Sequence, residues 1–310
     1  MKELVLAVDL GGTKVEVALV DEVGHVVPGS RFRRPTGARL TSEMLHGALV
    51  QLVRSATLNA PAPVVGVGIG SAGPIDFRAG AIVPVNLPGV HGMPLRDAVA
   101  SAAQEAGLGD LPVLLGHDGG CLALAESWLG ATAGARASFS MVVSTGIGGG
   151  YVIDGRLVSG ASGNAGHLGQ MRLGGFAAVD AADAGIPPTV EEIAAGPGSV
   201  AWARAQGWTG ETGVELGAAA GAGDAVARAT VERSARAVGA VLASAVAVLD
   251  VEVVAIGGGF SRVSADYVGL VGAALRAHAA LDFVRDVRVV PAALGDDGPL
   301  VGAAALVWRR

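Results

Sequence analysis

The chain has 310 residues, enough for two modest domains that each bury a core, with 16% charged residues against roughly 25% in an average soluble domain. Its formal net charge of −6 disfavours a nucleic-acid partner, no apolar run approaches the roughly 20 residues that span a membrane, and the single Cys121 excludes an internal disulfide or a multi-cysteine zinc cluster. Because the chain enters an apolar strand at once, without a basic segment and a cleavable apolar helix, we expect a cytoplasmic protein.

Residues 1–116 are predicted to form a first α/β lobe that opens on a glycine turn between two apolar strands. In the stretch 6–20, Asp9 ends the first strand, and the turn that follows contains Gly11, Gly12, Thr13 and Lys14. Two glycines let backbone N–H groups face outward, where a polyanion can approach closely. Thr13 and Lys14 could then reach phosphate oxygens, and Asp9 could hold a cation. The alternative is an ordinary hairpin turn.

Farther along this lobe, apolar spacing predicts a helix over 41–58, and further patterns predict a strand over 64–69, a helix over 95–106 and a strand over 112–115. Residues 68–73 fit the G-x-G-x-x-G fingerprint of dinucleotide-binding proteins and follow a strand. That fingerprint must open a helix, whereas Pro74 and an extended stretch follow here. A nicotinamide-dependent dehydrogenase is therefore only a remote alternative.

A second lobe is predicted over 117–297 and contains two further glycine turns. One carries Thr145 and Gly146 between apolar strands within 141–158, and the other is formed by Gly257, Gly258 and Gly259 after a strand over 253–256. Helices are predicted over 121–129, 190–206 and 225–249. The second lobe thus repeats the glycine hairpin of the first.

Asp118 stands between an apolar strand and a Gly119-Gly120 pair that leads into a helix. A carboxylate in this place could act as a general base on a substrate hydroxyl. It could equally cap the helix, a common role of aspartate before a first turn. The residues alone leave both readings open.

Two glycine hairpins in successive halves, followed by a third glycine turn, resemble the actin-like sugar kinases, and the details resemble glucokinase-like members of the ROK family (repressors, open reading frames and kinases). The resemblance runs from Asp9 to the segment 294–304. It implies an α/β, two-lobed, actin-like (ribonuclease H-like) fold, with a helix over 298–310 packing back on the first lobe. It also implies ATP bound between the lobes, Mg²⁺ held at Asp9 through water, and a homodimer.

The resemblance further assigns roles to individual residues. Asp118 matches the catalytic base that deprotonates the 6-hydroxyl of a hexose. Asn86 matches an asparagine that hydrogen-bonds sugar hydroxyls, although a turn-forming asparagine is the alternative. Glu191 matches a sugar-binding glutamate, with an exposed glutamate at a helix start as the alternative. Gly73 lies in the glycine-proline turn beside the sugar pocket, and the third glycine turn would flank the adenosine.

Three sugar-facing positions depart from the family pattern. Where the family has Asn-Asp-Ala-Asn, this chain has His117-Asp118-Gly119-Gly120. Where the family has a sugar-binding glutamate and a zinc-ligating histidine, this chain has His167 and Gln170. Because imidazole and amide groups replace a carboxylate, we expect an amino sugar such as kanosamine, or a C7 cyclitol, which specialised relatives phosphorylate in antibiotic pathways. Glucokinase activity and a non-catalytic sugar-binding protein are the alternatives.

The family's cysteine-rich zinc loop is also missing. Residues 174–188 replace it and contain no cysteine, and Gln170 stands where the family has a ligating histidine. A four-ligand zinc site cannot be assembled in the usual way from these residues. We therefore expect no structural zinc.

Overall fold

The computed structural model describes residues 3–176 and 186–309. In these ranges the strands are β1 (Leu4–Leu10), β2 (Lys14–Asp21), β3 (Phe32–Pro35), β4 (Val64–Ser71), β5 (Ile75–Asp76), β6 (Ala81–Ile82), β7 (Val113–His117), β8 (Ala137–Val143), β9 (Ile147–Ile153), β10 (Arg156–Leu157), β11 (Val253–Gly257) and β12 (Arg288–Pro291). The α-helices are α1 (Ser42–Thr57), α2 (Leu95–Glu105), α3 (Asp118–Leu129), α4 (Val190–Ala194), α5 (Gly196–Ala205), α6 (Gly213–Gly221), α7 (Ala225–Leu249), α8 (Tyr267–His278), α9 (Asp282–Arg285) and α10 (Gly298–Trp308). None of these helices is both long and apolar enough to cross a membrane.

The first compact unit comprises Met1–Gly130, Gly150–Ala165 and Leu294–Arg310. Its main sheet has the order β3-β2-β1-β4-β7, in which β2 runs antiparallel to β1 while β4 and β7 run parallel to it. Alternate residues of β1 pack on opposite faces: Leu4, Leu6 and Val8 join one core with α1 and α2, and Val5 and Ala7 join another with α10. A strand covered on both faces reads as a continuous apolar run, which is why this segment is easy to recognise.

Helix α3 belongs to the first unit, whereas the sequence analysis placed the division between the lobes before it, at residue 116. The physical reason is its close packing on α10. A Cβ on Gly302 would lie 2.1 Å from the Cys121 carbonyl oxygen, so only glycine permits this approach. The backbones of α3 and α10 thus come together through the small residues of α10.

The glycines of the dinucleotide-like stretch 68–73 also serve packing. Gly68 and Gly70 lie inside strand β4, and a Cβ on Gly68 would come within 1.9 Å of the Ala303 carbonyl oxygen of α10. The fingerprint requires these glycines to lie in a turn that opens a helix. The structure therefore removes the basis of the dehydrogenase alternative.

The second unit comprises Ala131–Gly149 and Gly166–Ala293. It contains the parallel strands β8, β11 and β12 of the sheet whose order is β10-β9-β8-β11-β12, while β10 and the end of β9 fall within the ranges of the first unit. The single helix expected over 190–206 is in fact two, α4 and α5, separated by an extended Ala195. Pro197 explains the break, because proline has no N–H to continue a helix and its ring clashes with the preceding turn. The sequence analysis missed α6 and α8.

Candidate active site

The carboxyl ends of three parallel strands gather the predicted residues of the first unit. Asp9 near the end of β1 is paired with Gly70 of β4, and Ser71 of β4 is paired with His117 at the end of β7. Asp118 follows directly as the first residue of α3, and Gly73 follows β4 by two residues. Parallel strands present their carboxyl ends at one edge of a sheet, the usual place for a ligand site in such folds.

The first glycine turn is held against the loop that carries Asn86. The Gly11 N–H donates to the Lys14 carbonyl oxygen at 2.9 Å, and the Thr36 hydroxyl donates to the Gly11 carbonyl oxygen at 2.9 Å. A Cβ on Gly12 would lie 3.5 Å from the Asn86 Cβ. The structure therefore brings the exposed Asn86 side by side with the candidate phosphate turn.

Lys14 is engaged within the sheet rather than with the glycine turn. Its ammonium lies 2.5 Å from the carboxylate of Glu16, which is only 2% exposed. Arg31 approaches the same carboxylate at 3.8 Å and also pairs with Asp297. The sequence analysis missed Glu16, although a charged residue between Val15 and Val17 of a buried strand was a usable signal.

Asp9 is a buried carboxylate with a shifted titration. It is 7% exposed, and burial raises the pKa of its carboxyl group to about 7, with the charge on Asp118 adding to the rise and Lys14 opposing it. A divalent cation beside Asp9 would offset both the lost hydration and the repulsion from Asp118. The residues present therefore fit Mg²⁺, which proteins commonly hold through one or two carboxylates, substrate phosphates and water.

Asp118 lies inside the first turn of α3, and the N-cap position belongs to His117. The alternative of Asp118 as N-cap residue is therefore wrong in position. Its Oδ1 accepts the Gly119 N–H at 2.7 Å and lies 3.1 Å from Nε2 of His117, while its side chain is 47% exposed. The histidine that replaces a sugar-binding asparagine thus lies against the candidate base.

In the second unit, Glu191 packs on the glycine turn that contains Thr145 and Gly146. A Cβ on Gly146 would lie 2.8 Å from Oε2 of Glu191, and that oxygen accepts the Ile147 N–H at 2.7 Å. Glu191 is in the first turn of α4, so its position at a helix start was correctly anticipated. Its carboxylate is not simply exposed to solvent, because it accepts a hydrogen bond from the neighbouring turn.

A short 3₁₀ turn, Leu168–Gln170, follows His167 and reaches the same strand start. A Cβ on its Gly169 would lie 2.2 Å from the Ile147 carbonyl oxygen. The Gln170 Nε2 donates to Oε1 of Glu191 at 3.3 Å. Gln170 and Glu191 are therefore grouped at the beginning of β9, and His167 immediately precedes the 3₁₀ turn.

The third glycine turn packs against the second. Gly258 has a positive φ of 95°, and a Cβ there would lie 2.6 Å from the Val143 carbonyl oxygen. Gly259 lies beside Ser144, with 3.5 Å between the position of its missing Cβ and the Ser144 hydroxyl oxygen. Glycine is required here both for the backbone conformation and for the close approach.

A cavity of about 930 Å³ opens beside these two turns. Its walls come from four separate stretches of the chain. The lining residues used below are Thr145, Gly196, Arg204, Glu211, Gly259 and Phe260. Along α5, Gly196 and Arg204 are eight residues apart, or about 12 Å at the rise of an α-helix. The wall that α5 contributes is therefore about 12 Å long. Sequence reasoning missed Arg204 and Glu211, which carry no motif, and Phe260 was signalled only by the preceding glycines.

Most of the stretch that replaces the zinc loop, 174–188, lies outside the described residues, which omit 177–185. Its two ends are joined by backbone bonds from Leu173 N–H to Pro188 and from Val190 N–H to Met171, at 2.9 and 2.8 Å. The Arg172 guanidinium adds a bond to the Pro187 carbonyl oxygen at 2.6 Å. Over residues 3–176 and 186–309, no group of three or more His, Cys, Asp and Glu side chains is arranged to hold a metal ion.

Comparison with known proteins places this geometry in context. The chain is 32% identical to the N-acetylmannosamine kinase of Yersinia pestis (strain Pestoides F), over 98% of each chain. A ROK hexokinase structure from Thermus thermophilus superposes with a TM-score of 0.82 and 34% identity, over 99% of this chain and 97% of that one. A ROK family glucokinase from Streptomyces griseus, solved with glucose and AMPPNP, gives a TM-score of 0.80 and 29% identity over 98% of each chain.

These similarities confirm the predicted α/β fold of the actin-like sugar kinases. The ROK family model matches residues 5–310, which is nearly the whole chain. The chain therefore belongs to the ROK family.

Proposed function

We propose that this ATP-dependent sugar kinase transfers the γ-phosphoryl group of ATP to the 6-hydroxyl of a hexose-like substrate, with Asp118 as the general base. The observation that carries the proposal is the position of Asp118. Its half-exposed carboxylate lies at the edge of the sheet where the parallel strands end. Buried Asp9 lies at the same edge, just before the Gly11-Gly12 turn. Phosphoryl transfer needs a carboxylate to accept the hydroxyl proton and donors to position the phosphates.

In this mechanism the first unit prepares the acceptor. Asn86 hydrogen-bonds sugar hydroxyls beside Gly12, Asp118 accepts the proton of the 6-hydroxyl, and His117 orients the Asp118 carboxylate through its 3.1 Å contact. Outward N–H groups of the glycine turn, with Thr13, donate to phosphate oxygens. Lys14 can also donate to a phosphate oxygen only if it gives up its bond to Glu16. Bound Mg²⁺ neutralises phosphate charge, and Asp9 is the residue that would hold it, through water.

The second unit would hold the nucleotide. Thr145 and Gly146 donate to phosphates, and Gly257, Gly258 and Gly259 flank the adenosine in the cavity beside them. The Streptomyces griseus glucokinase was solved with an ATP analogue and glucose, which supports the same pair of substrate classes here. The pocket has the mainly apolar walls and few polar groups that are typical of a nucleoside site.

We also propose that the acceptor is an amino sugar such as kanosamine. His167 and Gln170 bring groups that both donate and accept, and Glu191 supplies a negative charge next to Gln170. The relatives named above are a hexokinase, a glucokinase and an N-acetylmannosamine kinase, so the competing acceptors are glucose, N-acetylated sugars and, in the same family, cyclitols.

A coupled ADP-release assay over glucose, kanosamine, glucosamine, N-acetylmannosamine, fructose and C7 cyclitols tests the proposal. We expect turnover with at least one hexose-like acceptor and none without acceptor beyond slow ATP hydrolysis. If a folded protein that binds ATP phosphorylates none of these acceptors, the proposed kinase activity is contradicted and a non-catalytic sugar-binding protein is favoured. The homodimer, measured by light scattering, and the cytoplasmic location stay predictions.

The donor preference gives one testable consequence of the cavity. Glu211 and Arg204 both line the cavity, and a carboxylate there can accept a hydrogen bond from the 6-amino group of adenine, whereas it repels the 6-oxygen of guanine. For Glu211→Gln we expect the KM for ATP to rise about fivefold and the preference for ATP over GTP to narrow, because an amide can donate to guanine. Initial rates with both nucleotides measure this, with Glu232→Gln on the exposed side of α7 as control. An unchanged ATP-to-GTP ratio would remove Glu211 from base recognition.

The predicted lack of zinc gives a second consequence. We expect elemental analysis of the purified protein to find far less than one zinc per chain, because the single cysteine and Gln170 cannot complete the family's site. A chelator should leave the melting temperature unchanged in the absence of nucleotide, while it abolishes turnover by removing Mg²⁺ in a way that added Mg²⁺ restores. Stoichiometric zinc, or a melting temperature that falls with chelator, would contradict the prediction.

A further inference from the structure

Helix α4 depends on outside partners for its shape. It has only five residues, Val190–Ala194, and helices this short are not stable through their own hydrogen bonds. Its start is fixed by a capping box, in which Thr189 and Glu192 bond to each other's backbone. Because Glu191 lies in this helix, the direction of its carboxylate depends on how the other end is fixed.

The end of α4 lacks the backbone donor that a continuous helix would supply. In such a helix the N–H four residues later would bond to the Ile193 carbonyl oxygen, but that residue is Pro197, which has no N–H. Helix α7 supplies the missing donors: Nη1 of Arg233 bonds to the Ile193 oxygen at 2.8 Å, and the Ser234 hydroxyl bonds to the Ala194 oxygen at 2.8 Å. Two adjacent residues of one long helix therefore complete the short one.

Arg233 is itself held in place from both sides of the break. It is 7% exposed, and its guanidinium carbon lies 5.1 Å from the centre of the Trp202 ring in α5 and 5.8 Å from that of Phe176. A planar guanidinium can stack on an aromatic ring and donate in its own plane at once, which a lysine ammonium cannot do. Arg233 thus links the end of α4 to the body of α5.

We propose that Arg233 is a positioning residue for phosphoryl transfer, which keeps Glu191 on the Gly146–Ile147 turn by fixing the junction between α4 and α5. The inference rests on the proposed function, in which Glu191 contacts the sugar. The junction is also tied to the phosphate side, since the Gly196 N–H donates to the Ser144 carbonyl oxygen at 2.8 Å. Loss of the Arg233 bond frees the end of a five-residue helix and lets the Glu191 carboxylate shift.

The test compares Arg233→Met with Arg236→Met. Methionine keeps an unbranched apolar chain beside Trp202 and removes the donor and the charge. Arg236 is one turn farther along α7, is exposed and also lies 5.8 Å from the Phe176 ring, so it controls for loss of an arginine near that ring. With kanosamine and glucose as acceptors, Arg233→Met is expected to raise the acceptor KM about tenfold, within the range of coupling between residues of one network, while Arg236→Met changes it less than about twofold.

A double-variant cycle separates positioning from general weakening of the fold. If Arg233 acts through Glu191, then Arg233→Met should add little to the acceptor KM of Glu191→Gln. Fully additive losses, or equal losses in the Arg233 and Arg236 variants, would overturn the inference. If Glu191→Gln alone leaves the acceptor KM unchanged, the sugar contact in the proposed function is wrong, and the inference is wrong with it.

If Arg233→Met does not fold, Arg233→Lys takes its place in the test. Lysine retains the charge but loses the planar stack on Trp202, so we expect at least a threefold rise in acceptor KM that again vanishes in the Glu191→Gln background. A wild-type acceptor KM in this variant would contradict the role assigned to the guanidinium. Thermal unfolding of each variant shows that the rates come from folded protein.

Discussion

Asp118→Asn is expected to lower kcat by about 10²–10⁴-fold, the usual range for loss of a general base, with little change in fold or in substrate binding. The amide has the shape of the carboxylate but cannot take the proton of the 6-hydroxyl. Its oxygen can still accept the Gly119 N–H, which Asp118 Oδ1 accepts at 2.7 Å, so the start of α3 is preserved. The loss should therefore appear in kcat and not in stability.

Initial rates, thermal unfolding and acceptor binding by calorimetry together check this prediction. Asp97→Asn, in the exposed first turn of α2 in the same unit, is the matched control and should keep full activity. The kcat of His117→Asn is expected to lie between those of Asp118→Asn and Asp97→Asn, because this variant removes the ring that contacts the base and leaves the base itself. Near-normal turnover of a folded Asp118→Asn protein would contradict the role of Asp118 as the general base.

The parts of the site that could be predicted are those whose residues lie within one continuous stretch of the sequence. Asp9 and Asp118 both follow apolar strands, and the ends of parallel strands share one sheet edge, so their juxtaposition followed from local pattern. The glycine turns were equally visible. Two of these glycines have a reason in packing or backbone conformation, Gly146 beside Glu191 and Gly258 against Val143.

The parts that could not be predicted depend on contacts between distant segments. The cavity joins the predicted turns at Thr145 and Gly259 with walls from α5 and from residues 211–218, two stretches that carry no motif. The 190–206 stretch read as a single helix because its apolar spacing continues through Pro197, and only the donors from α7 show how the break is stabilised. Lys14 was expected on phosphates. Glu16 was visible as a charged residue in an apolar strand, but its bond to Lys14 appears only in the folded sheet.

Family membership does not identify the acceptor, and the bond between Gln170 and Glu191, with His167 at the start of the same 3₁₀ turn, bears directly on it. Glu191 already accepts two hydrogen bonds, from the Ile147 N–H and from the Gln170 amide. With its NH₂ group donating to Glu191, Gln170 presents its carbonyl oxygen as an acceptor, and a neutral imidazole can add one more. A substrate amine supplies donors and, when protonated, a positive charge that a nearby carboxylate stabilises.

We therefore expect kcat/KM for an amino sugar or cyclitol to exceed that for glucose at least tenfold, which corresponds to about 1.4 kcal/mol of discrimination in the transition state. The double variant His167→Glu with Gln170→His restores the family's residues and should shift the preference back toward glucose. Gln104→His on the exposed side of α2 controls for an added histidine and should leave the ratio unchanged. Both substitutions are made together, because an imidazole at 170 can still donate to Glu191 as the Gln170 amide does, while a carboxylate at 167 restores the family's acceptor. A wild-type enzyme that prefers glucose to every other compound of the panel would show that these replacements did not rebuild the pocket for another ligand.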